Sequence, residues 1–522
     1  MASAPPPFVT HYLKGELAAF FSLPVGDTVA AMARPLDRPR AALADALRQD
    51  AKRLSAPVAV HDSLDRLAHP ESRVVVTGQQ PGLLLGPAYT LSKAMSAIRL
   101  ARRLDSEERP AVPVFWVAGQ DHDTEEIDHA LLLDGEEQLQ RIALELPSGA
   151  PSGRLPYRLE WGRSIIRGLA RVSGRPEHLA EATALVEEAS AAAESYADLF
   201  SALLYRLLGD EGLILLDPTR STLAPFFGDV LKRELSDPLA SVGAIVAAGE
   251  ELQRRGFDPQ LGRGREATNL FLEEDEEGVP RRQLLRYDGS RFHTANRSYA
   301  RADLESVLCE EPARLTPAAG LRPTTQDAVL PTAAFVVGPG ELRYMAQLRG
   351  VYEQHEVPMP LVWPRATSVV LEPPTRRILE RYGLDYESYS AQRGEILDRV
   401  LLTRHGHGEA FEEALARLES EGEELHHRVA GIDPTLQGTV ERGKERFTRT
   451  ISLLRGKAAE ALARQDVVTT RQFARLEAQL FPAGVPQERC LTPFSFFLKF
   501  GCGPMMTFYR EMGVSGEYLL KP

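Results

Sequence analysis

The sequence predicts an α/β protein, an open parallel sheet core with an appended α-helical antiparallel coiled coil, and three observations lead to that reading. Five short apolar runs, at residues 74–77, 112–118, 213–216, 333–337 and 360–363, each stop at a loop carrying Gly, Gln, Asp, His, Glu or Arg, as strands buried on both faces do. The first two runs are joined by a glycine loop and a helix-length segment, a unit of the size that a parallel crossover needs. Beyond Pro374, two apolar series step by three and four residues on either side of a turn at Gly431 to Pro434.

In chain order, residues 11–70 read as short Ala- and Leu-rich amphipathic helices that cover the core; in the stretch 40–54, Leu43, Ala46, Leu47 and Leu54 share a face. The run 74–77 enters the loop Gly78-Gln79-Gln80-Pro81-Gly82-Leu83-Leu84-Leu85-Gly86-Pro87, and a helix follows from about 88 to 104. The run 112–118 ends in Gly119-Gln120-Asp121-His122-Asp123. Residues 160–208 are Ala-, Glu- and Leu-rich and read as helices, whereas 257–330, with the acidic run 273–277, read as an irregular insertion. Phe411, Leu415, Leu418, Leu425, Val429 and Ile432 form one seam; Val440, Phe447, Ile451, Leu454, Ala458 and Ala461 form the other. Asp433 suits an N-cap with Pro434 at the first helical position. So narrow a hairpin leaves apolar surface over, which predicts a dimer; a helical subdomain packed on its own core is the alternative. The domains are therefore 1–373 for the core, 374–480 for the hairpin and 481–522 for a segment returning to the core.

Composition narrows the function. The chain has 522 residues, 43% hydrophobic and 26% charged, a globular balance. Its net charge of −12 repels polyphosphate and argues against extended nucleic-acid binding. Three cysteines, Cys309, Cys490 and Cys502, show no CxxC spacing, so no structural zinc is expected and a reducing cytoplasm is the simplest location. Residues 1–10 lack a basic region followed by an apolar stretch, and no run reaches about 18 apolar residues, so neither export by that route nor a membrane span is expected.

In an open parallel sheet, ligands bind outside the carboxyl ends of the strands, so these five strand ends should converge on one crevice. The loop 78–87, between strand and helix, offers backbone amides to an anion such as phosphate, although its spacing is neither GxGxxG nor a Walker loop. Gly78, Gly82 and Gly86 allow close approach, or simply tight packing of strand on helix. Gln79 and Gln80 supply amide groups, Tyr89 a hydroxyl, and Lys93 a charge one turn into the helix. Residues 121–129 place seven titratable groups within nine positions just beyond Gln120. Were the segment helical after Asp123, then His122, Glu126 and His129 would share one face, as metal ligands can. Alternatively, His122 acts as a general acid or phosphate partner while Asp121 or Asp123 holds a ribose, an amine or Mg²⁺ through water. A capped helix start with surface charge is the third possibility. Gln326 and Asp327 precede the fourth strand, and Gly338, Gly340, Glu341 and Tyr344 follow it; Glu341 suits an ammonium group and Tyr344 stacking, or the segment is a turn capping the next helix. Arg365, after the fifth strand, suits a carboxylate or phosphate clamp, or a surface ion pair. Cys490 and Cys502, flanking the Phe-rich stretch 494–500, read as structural thiols.

Thr77-Gly78-Gln79-Gln80-Pro81-Gly82, Gly86-Pro87-Ala88-Tyr89-Thr90 with Lys93, and Val114-Phe115-Trp116-Val117-Ala118-Gly119-Gln120-Asp121-His122-Asp123 strongly resemble the cysteine-adding ligases of bacillithiol biosynthesis. Leu321-Arg322-Pro323, Gln326-Asp327, Gly338-Pro339-Gly340-Glu341, Tyr344, Pro364-Arg365 and Gln487-Glu488-Arg489 follow in that family's order, so the resemblance spans most of the chain. It implies a Rossmann-like, nucleotidylyl-transferase-like core, an antiparallel coiled coil and a homodimer. The implied activity is amide formation between L-cysteine and glucosaminyl-malate, with the carboxyl activated by ATP and Mg²⁺ as an acyl-adenylate or acyl-phosphate. Gln120 stands where this family more often has Glu. A metal-dependent hydrolase built on residues 121–129 and a non-catalytic dimeric adaptor are the rival classes.

Overall fold

The structure is a computed structural model that describes residues 7–262, 264 and 266–522, so most of the N-terminal stretch read above for export signals lies outside the described residues. The chain forms two compact units, one of residues 5–370 with 485–522 and one of residues 371–484.

The first unit is built on five parallel strands, β1 (Arg73–Gln79), β2 (Ala111–Val117), β3 (Ile214–Leu216), β4 (Thr332–Val337) and β5 (Leu361–Pro364), in the order β5-β4-β1-β2-β3. All five expected runs are strands of this one sheet. Val74, Val75 and Val76 of β1 are fully buried, because β-branched side chains cover both faces of a strand that has neighbours on both edges. The chain winds outward from β1 through β2 to β3, then returns to place β4 and β5 on the other side of β1. This reversal is a topological switch point, and it opens a crevice at the carboxyl ends of β1 and β4. Helix α1 (Tyr89–Leu104) makes the crossover from β1 to β2 and buries eleven of its sixteen residues. Helices Leu159–Val172, Pro176–Ala192 and Tyr196–Leu208 occupy the stretch read as helical, and Thr28–Ala33, Arg40–Arg53 and Val58–Leu67 form the N-terminal cover.

Residues 257–330 correct the expectation of an irregular insertion. Strands Ala267–Glu276, Val279–Tyr287, Phe292–His293, Ser298–Tyr299 and Leu315–Pro317 make a second, antiparallel sheet. The acidic run hid the strand because two of its carboxylates are buried: Glu273 accepts from Arg154, and Glu274 accepts from Thr294 and Tyr299. A charge run with internal partners has the composition of a solvated face without being one.

In the second unit, α4 (Gly408–Ala430) and α5 (Gln437–Gln465) run antiparallel, joined by a turn in which the Asp433 carboxylate accepts from Thr435 N, as the capping pattern predicted. The seam differs from the heptad reading. Phe411, Leu415, Leu418 and Ile451 are half-buried, whereas Leu425, Phe447 and Leu454 are exposed. Lys444 accounts for part of the difference: its stem packs on Gly422 and its ammonium reaches Glu419 at 2.8 Å, filling inter-helix space with a long cationic side chain.

One buried charge cluster anchors the third strand end. Asp198 is fully buried, accepts from Arg53 Nη2 at 2.8 Å and from Ser195 N at 3.0 Å, and also pairs with Arg220, three residues beyond Asp217. Burial alone would raise this carboxyl, but the hydrogen bond from Arg53 and the charges of Arg220 and Arg53 overcome it and hold it below 3.8. The Asp198→Asn variant should lose roughly 3 kcal/mol in denaturant unfolding at neutral pH, since Arg53 and Arg220 lose the fully buried one of the two anions they share and keep only Asp50 in common. A depressed carboxyl stabilises the fold above its unfolded pKa and ceases to do so as pH falls through the folded one, so the deficit should shrink in acid.

Candidate functional site at the switch point

Lys93 lies at the centre of the crevice. It is buried on the second turn of α1, and its Nζ donates to Gly78 O at 3.0 Å and Gln79 Oε1 at 2.8 Å, both at the end of β1. It also reaches Glu341 Oε2 at 2.7 Å, on α3 (Pro339–Met345), the helix that follows β4. The same Glu341 oxygen accepts from Gly338 N at 2.7 Å, capping α3. Burial pulls the Lys93 ammonium below 10.5; Glu341 opposes the shift, while Arg365 and Arg322 reinforce it. Glu341, read as a receptor for a substrate ammonium, thus already holds the protein's own.

The surrounding groups converge on Gly338. A Cβ placed there would lie 3.6 Å from Arg365 Nε and 3.8 Å from Lys93 Cε. The Tyr89 ring has Lys93 Nζ 5.5 Å and Arg365 Cζ 5.3 Å from its centroid, and its hydroxyl accepts from Gln79 Nε2 at 3.1 Å. Arg365, beyond β5, forms a buried fork with Glu488, at 3.0 Å and 2.6 Å, rather than a surface pair. Arg365 Nε is buried without a partner, a donor left over for an anion beside Gly338; Thr90 Oγ1, on α1, is also buried without one.

The glycines have separable reasons. A side chain on Gly78 would sit 2.7 Å from Trp116 O of β2, and one on Gly82 would sit 2.0 Å from Gly86 O, so both are required by backbone packing. Gly340 faces open space. Between Gly82 and Gly86, Leu84 and Leu85 adopt φ of 53° and 58°, a left-handed conformation that bulky residues avoid. The C-terminal segment holds them: Thr492 Oγ1 donates to Leu84 O, and Ala88 N donates to Leu491 O at 2.7 Å.

On the β2 side, Gln80 Nε2 donates to Asp121 Oδ2 at 2.8 Å, and His122 N donates to Asp121 Oδ1 at 2.8 Å, so Asp121 ties two loops together. Gln120 is buried beside it, and Asp123 is exposed. Ser152 N and Gly153 N donate to Asp121 O and Gly119 O, clamping the loop from outside. Burial, followed by the charge of Arg282, lowers His122 below 6.5; Asp121 and Asp123 oppose the shift. The metal-ligand arrangement of His122, Glu126 and His129 is not formed: the helix after Asp123 spans only Thr124–Ile127, and His129 opens a strand paired with Ala143. Among the described residues, no group of three His, Cys, Asp or Glu is placed to hold a metal.

Gln326 and Asp327 are fully buried on α2 (Arg322–Val329), where Asp327 accepts from Gln326 Nε2 and the Tyr352 hydroxyl. The start of that helix is what reaches the crevice residues. Arg322 donates to the Tyr344 hydroxyl at 3.1 Å and lies over the Trp116 and Phe335 rings. The sequence reading assigned no site role to Arg322, Glu488, Thr492 or Arg282; an Arg-Pro helix start was the one local signal among them. A cavity of about 620 Å³ is lined by Arg38, Arg40, Glu71 and Arg73. Most of its guanidinium donors are spent on backbone carbonyls such as Met32, Arg34 and Leu36.

A five-stranded parallel sheet in this order, with its polar side chains gathered at the switch point, defines a Rossmann-like α/β protein, here carrying a coiled-coil unit. The family model described as bacillithiol biosynthesis BshC, N-terminal Rossmann-like domain, matches residues 3–366, and that of the BshC C-terminal coiled-coil domain matches 368–512. The chain belongs to the BshC family of bacillithiol biosynthesis. A Thermus thermophilus protein named "Putative cysteine ligase BshC" is 40% identical over 487 residues, covering 93% of this chain and 95% of its own. Proteins of the same name from Salinibacter ruber and Geobacillus kaustophilus are 32% and 30% identical, covering 90% and 88% of this chain and 86% of each of their own.

The Lys93–Glu341 pair should behave as a buried one. A double-mutant cycle with Lys93→Met and Glu341→Gln, read by chemical denaturation, should give a coupling on the order of 2 kcal/mol, above the roughly 0–1 kcal/mol of a surface pair.

Proposed function

We propose that the chain is an ATP-using carbon–nitrogen ligase that joins the carboxyl of L-cysteine to the amine of glucosaminyl-malate, giving bacillithiol. The observation that carries the reading is the crevice at the switch point, where Lys93, Tyr89 and Arg365, whose buried Nε has no partner, gather beside Gly338, in a chain of this family. A free carboxylate is a poor acyl donor, and ATP supplies the leaving group that makes it a good one. This chain's residues hold and orient the reactants: the Gly78 to Lys93 segment and Arg365 attract oxyanions, and the Gly338 to Tyr344 block forms the facing wall. His122, kept neutral at physiological pH, accepts a proton from the attacking amine through its ring. The described residues form no resident metal site, so Mg²⁺ is taken to arrive with the nucleotide.

A mass-spectrometric assay with glucosaminyl-malate, L-cysteine, ATP and Mg²⁺ tests the reading. Amide product with AMP indicates an adenylate route and product with ADP a phosphate route; failure to form product while both substrates bind overturns the ligase. His122→Ala should lower kcat/KM by about 10² or more, and Lys93→Ala by a comparable factor.

We further propose a cytoplasmic homodimer. No described helix is long and apolar enough to cross a membrane, and the three cysteines are free. On the hairpin, Phe447, Leu453 and Leu454 are exposed within one stretch of α5, apolar area that a second copy can cover. Sedimentation of the wild type should give a dimer, and the double variant Phe447→Glu/Leu454→Glu a monomer.

A further inference from the structure

We propose that Arg282, reaching from the inserted antiparallel sheet, and His122, at the end of β2, form one wall of an anion pocket that takes a carboxylate or phosphate group of a substrate. Arg282 is half-buried on strand Val279–Tyr287, with its guanidinium 4.1 Å above the Phe271 ring. Its Nε donates to Thr316 Oγ1 at 2.9 Å and its Nη2 to Pro317 O, which fixes the plane of the fork. Nη1 has no hydrogen-bond partner among the described residues, and Arg282 makes no ion pair with Asp121 or Glu273, the two carboxylates whose fields it feels. The His122 ring meets the same Phe271 edge-on at 5.3 Å, and its buried Nδ1 has no hydrogen-bond partner, with Asp121 Oδ1 at 3.9 Å.

A guanidinium held in place on an aromatic ring, with a donor unspent and no carboxylate partner, is built to receive an anion from outside the chain. Lys93 and Arg365 differ from it in each having a carboxylate partner within the chain, Glu341 and Glu488. An imidazole beside that guanidinium can be protonated more readily once an anion is seated, so the pocket couples anion binding to the state of the ring. The charged groups facing His122 are Arg282 from the inserted sheet and Asp121 and Asp123 from its own loop. The anion pocket does not depend on the ligase reading; assigning its anion to the malate carboxylates or to a nucleotide phosphate does.

The test is a pH titration of the histidine ring signals by NMR on the full chain, with the His122 signal assigned by its loss in His122→Asn. L-malate and inorganic phosphate are the probes. In the wild type, His122 should titrate below 6.5 and move upward when a probe is bound. Response to malate alone points to the acceptor substrate, and response to phosphate alone to the nucleotide. Arg282→Met should raise the free His122 titration and weaken probe binding about tenfold or more; Arg282→Lys, which keeps the charge and loses the fork, should fall between. If neither probe at tens of millimolar shifts His122 in the wild type, or if Arg282→Met binds a probe as tightly as the wild type, the pocket is refuted. Because no turnover is measured, a protein that binds the probes and makes no amide would refute the ligase while leaving the pocket in place.

Discussion

A buried ammonium holds the switch point together. Taking Lys93 out of water costs several kcal/mol, and the fold recovers that only because three acceptors converge: a strand-end carbonyl, a side-chain amide and a carboxylate. Those acceptors come from β1 and from the helix after β4, and the lysine comes from α1. One charge therefore fixes the distance between the two strands whose divergence makes the crevice. The requirement propagates outward. Glu341 must cap its own helix through Gly338 N to be in position, and β1 must run past Trp116 closely enough that Gly78 cannot carry a side chain.

The strands were legible because buried parallel strands write themselves as uninterrupted apolar runs with abrupt polar ends. The crevice was legible for the same reason, since Gly78, His122, Glu341 and Arg365 each stand at or just beyond such an end, and Lys93 lies one turn into the helix that follows the first. Long-range pairing was not legible. Nothing local in residues 486–492 announces that Glu488 will grip Arg365 or that Thr492 will support two left-handed leucines. The inserted sheet was missed because its carboxylates find partners within the fold, and a one-dimensional reading cannot distinguish a satisfied Glu273 from a solvated one. His129 illustrates the opposite error, in which residues suited to one helix face were separated when the helix stopped at Ile127 and the chain turned into a strand.

The acidic balance of the whole chain coexists with a crevice rich in cations. Arg322 and Arg365 lie close enough to lower the Lys93 ammonium, and Glu341 on Lys93 and Glu488 on Arg365 keep the cluster from being prohibitively positive. On the function proposed above, such an arrangement would attract small anions at short range while the net negative charge of the chain opposes long polyanions. Size discrimination of this kind needs no steric gate.

The segment from Val485 onward closes the site, yet it follows the whole helical unit in the chain. Glu488, Leu491 and Thr492 emerge from the ribosome only after the hairpin has been made, although the loop and arginine they secure were synthesised long before. During synthesis, Arg365 waits without its anion and the loop around Leu84 without its support. The order of translation therefore delays a competent crevice until the helical unit has been made, so that products truncated before Val485 carry the sheet but not the finished site.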